Sequence, residues 1–403
     1  MTTSIPRRLR PPAAETSFRS GRAGPSAVVG VRRIFAAETG NYFLLLGTTL
    51  FLIGFGLVMV LSSSTISSYN ESDDFFSGFT RQLLFAALGL PIMLIASRMP
   101  SRFWKRWSGT LLLIGCALQF LVVATPLGVE RGGNRNWLEL GPITLQPSEL
   151  IKIALAVWLA YILSTKFDRL DNLRELAMPI APVAIVAIGL VLAGGDLGTA
   201  LILIAIVVGA LFFAGVRLWI LVIPFVMAAI VGPAIAFSSE SRSARTQAFL
   251  DGCSSVNDYV GSCWQTVHGW WALAAGGVFG AGLGNSKAKW SWLPEADNDF
   301  IFAIIGEELG LVGAITVLVL FIVMAVAFVR IIRSNADPFA RIAASAVMIW
   351  IVGQAFVNIA VVLGLVPVLG VPLPLISSGG SALVTSMLAI GIVLSFAREK
   401  PRA

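Results

Sequence analysis

The chain has 403 residues, of which 57% are hydrophobic and 13% charged, against the roughly 25% charge of an ordinary soluble domain. Water is therefore not the solvent for most of its surface. The net charge of +7 is spread over short connections rather than gathered in a basic folded domain, which argues against a nucleic-acid-binding protein.

Residues 1–40 are rich in Arg, Pro, Ser, Gly and Ala, too polar to pack, and read as a flexible cytoplasmic tail. The charged region is too long for a cleaved signal peptide, and the apolar run after it approaches span length. A membrane span needs about 20 apolar residues. Such runs recur at Tyr42 to Leu61, Leu83 to Ala96, Leu111 to Pro126, Leu150 to Leu163, Ala177 to Ala193, Leu197 to Ala214, Leu218 to Phe237, Phe300 to Val329, Ile342 to Leu363 and Leu383 to Phe396. The expected fold is all-α and polytopic, with about ten transmembrane helices. Basic residues in short connections resist translocation. Arg7 to Arg33 precede the first run, Arg98 to Arg106 follow the second, and Arg398, Lys400 and Arg402 close the chain, while Glu71, Asp73 and Asp74 lie between the first and second. Both termini are thus expected inside, with a transmembrane domain over 41–397, a cytoplasmic tail over 398–403 and a large extracytoplasmic loop at 238–299, before the eighth span. Cys253 and Cys263 lie in that loop, on the side where disulfides persist, and are expected to be bonded. Cys116 lies mid-span as a small apolar residue. With His268 the sole histidine, the spacing shows no metal site.

Ionisable groups at the ends of apolar runs cost free energy and become functional candidates. Glu149 and Lys152 are spaced i, i+3 and can pair on a helix, either as a structural ion pair or with Lys152 as a phosphate-binding cation. Arg135 and Trp137 stand in the connection before Gln146-Pro-Ser-Glu149, with Pro147 suited to a first helical turn. Trp137 reads as an interfacial anchor or as a sugar-stacking platform. The segment Gly276 to Gly284 leads into Lys287 and Lys289, a combination suited to phosphate or to close re-entrant packing. Glu295, Asp297 and Asp299 then place three carboxylates just before an apolar helix, and continued helical spacing would set Asp299, Ala303 and Glu307 on one face. Clustered carboxylates raise one another's pKa, which suits a general base; the alternative is a complement to the helix dipole. Gln354 and Asn358, four apart, read as hydrogen-bonding groups between helices.

Between Tyr42 and Phe396 the ordered motifs resemble one family. They are Gly56-Leu-Val-Met-Val-Leu-Ser-Ser63, Arg135-Asn-Trp137, Gln146-Pro-Ser-Glu-Leu-Ile-Lys152, Asp196-Leu-Gly-Thr199 and Gly282-Leu-Gly-Asn-Ser286. They continue with Leu293-Pro-Glu-Ala-Asp-Asn-Asp-Phe-Ile-Phe-Ala303, Gly306-Glu-Glu-Leu-Gly-Leu-Val-Gly313 and Leu373-Pro-Leu-Ile-Ser-Ser-Gly-Gly-Ser381. The chain resembles the SEDS (shape, elongation, division and sporulation) polymerases, the group containing FtsW and RodA. The resemblance implies an inverting glycosyltransferase that polymerises lipid II into glycan strands on the outer face of the bacterial plasma membrane and releases undecaprenyl diphosphate. Asp299 would deprotonate the acceptor hydroxyl. Lys152, Arg135, Lys287 and Lys289, or a divalent cation (Mg or Mn), would steady the leaving diphosphate, with no organic cofactor. Glu149, Glu295, Asp297, Trp137, Ser377, Gly379 and Gly380 would serve in substrate binding. Expected partners are lipid II, a class B penicillin-binding protein and other division-machinery membrane proteins, with no nucleic acid. Asp297, Asn298 and Ser378 replace the family's usual His, Thr and Tyr. Glu295-Ala296 and Gly306-Glu-Glu-Leu-Gly-Leu311 look more like the division branch and point to the septum. Two rival readings are a lipid II flippase, which would place coupling groups near the midplane, and a noncatalytic scaffold for the penicillin-binding protein.

Overall fold

The computed structural model describes residues 39–398, apart from 132–133, 141–142, 168–172, 223–225, 227–231, 233–239, 254–260, 262 and 291. Among the described residues, nine helices are long and apolar enough to cross a membrane, so the chain is a multi-pass membrane protein. In chain order the helices are α1 (Gly40–Ser63), the short α2 (Thr65–Ser72), α3 (Ser77–Ala96), α4 (Ser101–Ala124), α5 (Pro147–Thr165), α6 (Leu173–Ala193) and α7 (Leu197–Ala214). Then follow α8 (Glu240–Leu250), α9 (Trp264–Gly276), α10 (Ile301–Ser334), α11 (Pro338–Met348), α12 (Gln354–Val362) and α13 (Gly380–Arg398). A π-helical turn, Ile349–Gly353, joins α11 to α12, making one span of them. The expected seventh span, Leu218 to Phe237, lies mostly outside the described residues.

α5 is the axis of the bundle. Ile151, Ile153, Leu155, Val157 and Leu159 are buried along its length, with Ala154, Ala156 and Ala160 between them. Small residues at such positions let neighbouring backbones approach, and α4, α7 and α11 pack around this helix. Buried Trp350, Phe321, Phe328, Phe339 and Phe396 fill the rest of the core.

One expected boundary moves. α4 begins at Ser101 rather than Leu111, because its charged first turns emerge from the apolar layer and Lys105 reaches Asp337, the N-cap of α11, at 2.8 Å. The all-α fold carries one small addition. A three-stranded antiparallel sheet, β1 (Gly128–Arg131), β2 (Asn134–Leu140) and β3 (Ile143–Leu145), fills the connection from α4 to α5. Its signal is a short alternation, with Asn136 and Leu138 buried and Arg135 and Glu139 exposed, as a strand half against a core requires.

α10 is interrupted at Gly310, whose φ of 67° and ψ of −164° leave the helical region. The segment after α9 takes over the hydrogen bonds lost at the break. Leu311 and Val312 donate to the carbonyls of Gly277 and Val278, and Ala281 and Gly282 donate to those of Glu307 and Glu308. At membrane depth such backbone groups must be satisfied by protein, so the glycine-rich run is a splint for a broken helix. A Cβ at Gly310 would collide with the backbone of Val278 and Gly280. Gly310→Ala is therefore expected to cost about 1–3 kcal/mol, read as a lowered thermal midpoint in detergent.

Candidate active site

Four helices begin around one cavity. Glu149 lies in the first turn of α5, Asp196 is the N-cap of α7, Asp299 precedes α10, and Gly379 and Gly380 open α13. All line a cavity of about 730 Å³, together with Trp137, Glu295 and Asp297. The positive ends of these helices face it, a favourable setting for an anion.

Hydrogen bonds lock the helix starts together. Gln146 donates from Nε2 to Asp196 Oδ2 (3.1 Å) and from its backbone N–H to Ser381 Oγ (3.3 Å). Asp196 Oδ1 caps α7 through the Thr199 N–H (2.8 Å). Burial holds the Asp196 carboxyl above the usual carboxylate range, against the lowering by that cap. The carboxylate-rich turn is bound to the start of α13. Ser377 Oγ donates to the Asn298 carbonyl (2.7 Å), and the Ser378 N–H donates to that of Asp297 (2.8 Å). Asn358 donates to the carbonyls of Asp299 and Val371, both at 2.7 Å.

This scaffold leaves the Asp299 side chain over the cavity, with Gly370 beside Oδ2 and Oδ1 buried without a hydrogen-bond partner among the described residues. Its pKa is pushed up to about 7, first by burial, then by the neighbouring charges of Glu295, Asp196 and Asp297, with Arg245 opposing. A carboxylate with an unused acceptor and a pKa near neutrality is equipped to take a proton from a hydroxyl. Residues 293–300 form turns rather than a continuation of α10, so Asp299 and Glu307 do not share a helical face. Glu307 instead accepts from Ser286 Oγ and the Lys287 N–H.

The cations expected to meet a diphosphate are elsewhere. Lys152 is buried against Glu149 at 2.7 Å. Lys289 pairs with buried Glu308 at 3.3 Å and donates to the Gly284 carbonyl at 2.6 Å, while Lys287 has an exposed side chain off the cavity wall. Arg135 donates to the carbonyls of Thr125 (2.7 Å) and Gly128 (3.3 Å), steadying the end of α4. Arg135→Ala is expected to lower the thermal midpoint with little change in polymerisation rate, as loss of hydrogen bonds made by a charged donor to the backbone should. Ser377 is buried behind the wall as a brace. Among the described residues the arginines on the wall are Arg81 and Arg245, neither of them a site candidate in the sequence. Gln82 and Asn136 also line the wall. Cys253 and Cys263 form a disulfide, with Cα atoms 5.7 Å apart.

The family model of the cell cycle proteins FtsW, RodA and SpoVE matches residues 43–402. The chain belongs to the FtsW/RodA/SpoVE family. It is 39% identical over 363 residues to the probable peptidoglycan glycosyltransferase FtsW of Mycobacterium tuberculosis, covering 90% of this chain and 69% of that protein. It is 34% identical over 365 residues to the stage V sporulation protein E of Bacillus subtilis, covering 90% of this chain and 98% of that one. Among solved structures, a chain from a study titled "Structural coordination of polymerization and crosslinking by a peptidoglycan synthase complex" superposes with a TM-score of 0.72 at 24% identity, over 89% of this chain and 98% of that one. The Thermus thermophilus rod shape determining protein RodA superposes with a TM-score of 0.66 at 22% identity, over 92% of this chain and all of that one. These likenesses show that this FtsW/RodA/SpoVE member has the polytopic helical fold.

Proposed function

We infer that the chain is a peptidoglycan glycosyltransferase that joins lipid II into glycan strands, with Asp299 as its base. The observation that carries this reading is a free, near-neutral carboxylate in an anion-favouring cavity formed by four helix starts. The reaction needs both features. Asp299 takes the proton of the acceptor sugar hydroxyl, the oxygen attacks the anomeric carbon of the donor, and the bond from that carbon to undecaprenyl diphosphate breaks with inversion. The departing negative charge is met by the helix N-termini and by Arg81, and Trp137 offers a ring face to a sugar. Among the described residues no three His, Cys, Asp or Glu side chains are grouped to hold a metal ion by themselves; a divalent ion here would be held by one or two carboxylates of the cavity wall, where Glu295, Asp297 and Asp299 stand, together with the substrate's phosphates.

The proposed orientation is supported by where the basic residues fall. Arg98, Arg102, Lys105, Lys166, Arg330, Arg333 and Arg398 cluster at the helix ends away from the cavity, which by the positive-inside rule is the cytoplasmic side. The cavity then opens to the outer face, both termini are cytoplasmic, and 238–299 is extracytoplasmic. A class B penicillin-binding protein, whose crosslinking consumes new strands, and other division proteins are the partners this reading calls for, and the septum is the place.

The test is polymerisation of labelled lipid II by the purified chain, alone and with its transpeptidase. Strands from wild type support the reading. Transfer of lipid II across liposomes without strands would replace it with a flippase, and neither activity with retained transpeptidase binding would leave a scaffold. Asp297→Asn is expected to keep polymerisation and move its acid limb to lower pH, because one repelling charge near Asp299 is gone.

A further inference from the structure

The disulfide lies outside the main core. Cys253 and Cys263 form a separate small cluster with Ala248 and Val267, with Trp270 packed against it. Ala248 is the only buried side chain among the described residues of α8, so this cluster is that helix's apolar anchor. One turn before Ala248, Arg245 lines the active-site cavity and also a smaller cavity of about 60 Å³ beside Cys253 and Trp270. Arg245 has no hydrogen-bond or ion-pair partner among the described residues, although its charge acts on Asp299. On the other side, Cys263 is the N-cap of α9, and α9 packs so closely on α10 that a Cβ at Gly269 would stand 2.8 Å from the Phe300 ring. A continuous connection thus runs from Arg245 through Ala248 and the disulfide to α9 and the start of α10, where Asp299 sits.

We propose that the Cys253–Cys263 disulfide is the brace that holds α8 against α9 and so presents Arg245 to an anionic oxygen of the substrate, making polymerisation dependent on the oxidised chain. An element with one small apolar anchor is of the kind that opens locally, and a free guanidinium is built for bidentate capture of phosphate oxygens. The inference rests on the glycosyltransferase reading for its substrate but not for the brace itself. Opening the bond takes two electrons and two protons, which an added dithiol supplies while closing its own disulfide.

The experiment uses the full chain in nanodiscs with fluorescent lipid II. The chain is reduced with dithiothreitol, alkylated and checked by mass before the transpeptidase is added. Compared with the oxidised wild type are the reduced wild type, the Cys253→Ser/Cys263→Ser double variant, and Arg245→Ala with and without reduction. Opening the bridge is expected to slow polymerisation about tenfold or more, the effect of losing one charge-assisted contact. Arg245→Ala should lose as much and then be indifferent to reduction. Amide exchange in α8 should quicken on reduction while that of α10 stays unchanged. An unchanged rate after verified opening, or a further loss when Arg245→Ala is reduced, would overturn the proposal. If the oxidised wild type makes no strands, the glycosyltransferase reading falls by itself, and unchanged exchange in α8 would reject the brace separately.

Discussion

Asp299→Ala and Asp299→Asn are expected to lower glycan-strand synthesis by about 10²–10⁴-fold, the usual contribution of a positioned general base, while the protein remains folded. Asp299 lies at the cavity surface, and its backbone carbonyl, not its side chain, receives the Asn358 bond. Removing the carboxylate therefore breaks no hydrogen bond that holds the helices. The same carboxylate sets the pH profile. A base must be ionised, so the wild-type rate is expected to rise with pH through about 7 and level off above it. Stability runs the other way. The folded-state pKa lies above the ordinary value of 3.8, so the folded chain binds the proton more tightly than the unfolded one. Stability from this group is present below about pH 4 and declines as pH rises to about 7. Asp299→Asn should accordingly raise the thermal midpoint above neutral pH while slowing synthesis by that factor. A variant that keeps polymerising would move the base elsewhere, and Asp297→Asn, measured beside it, would say whether its neighbour holds that role.

What the sequence made legible follows from cost. Ionisable groups at the edges of apolar runs are expensive, so Glu149, Asp196, Glu295, Asp297 and Asp299 stood out, and the fold brings them to one cavity. The same argument could not choose between the two readings of Lys152 or place Lys289, since cost reveals that a charge has a purpose but not its partner. Lys152 and Lys289 neutralise Glu149 and Glu308 instead of facing substrate. Arg81 and Arg245 were hidden for the opposite reason, because exposed arginines in connections carry no anomaly until the fold aims them at a cavity. Gly310 falls inside the apolar run Phe300 to Val329, and only the splint from Gly277 to Gly282 reveals the break. Asn358 fitted the pattern of a group joining two helices. Its two bonds instead tie the backbone of Asp299 to the loop at Val371, a long-range arrangement that local spacing does not encode.

Lys152→Met is expected to be among the most damaging substitutions in the bundle, although Met matches the lysine stem in volume and suits an apolar core. Lys152 and Glu149 are almost wholly enclosed and meet at 2.7 Å. The Lys152 ammonium also donates to Gln354 Oε1 at 3.1 Å and lies 4.9 Å from the Trp350 ring centre. The π-helical turn before Gln354 brings this pair together, with Trp350 Nε1 donating to the same Gln354 oxygen at 3.0 Å. Without the lysine, Glu149 keeps only a 3.4 Å bond from Thr385, and an uncompensated buried charge costs about 3–5 kcal/mol. Thermal unfolding in detergent should show a large loss for Lys152→Met and substantial recovery in the Glu149→Gln/Lys152→Met double variant, because the second change removes the stranded charge. Polymerisation by the double variant then separates a structural role of the pair from a part in binding the substrate. Recovery of rate together with stability would make the pair a strut between α5 and the α11–α12 span. Recovery of stability alone would give Glu149, which faces the cavity, a direct part in binding the substrate.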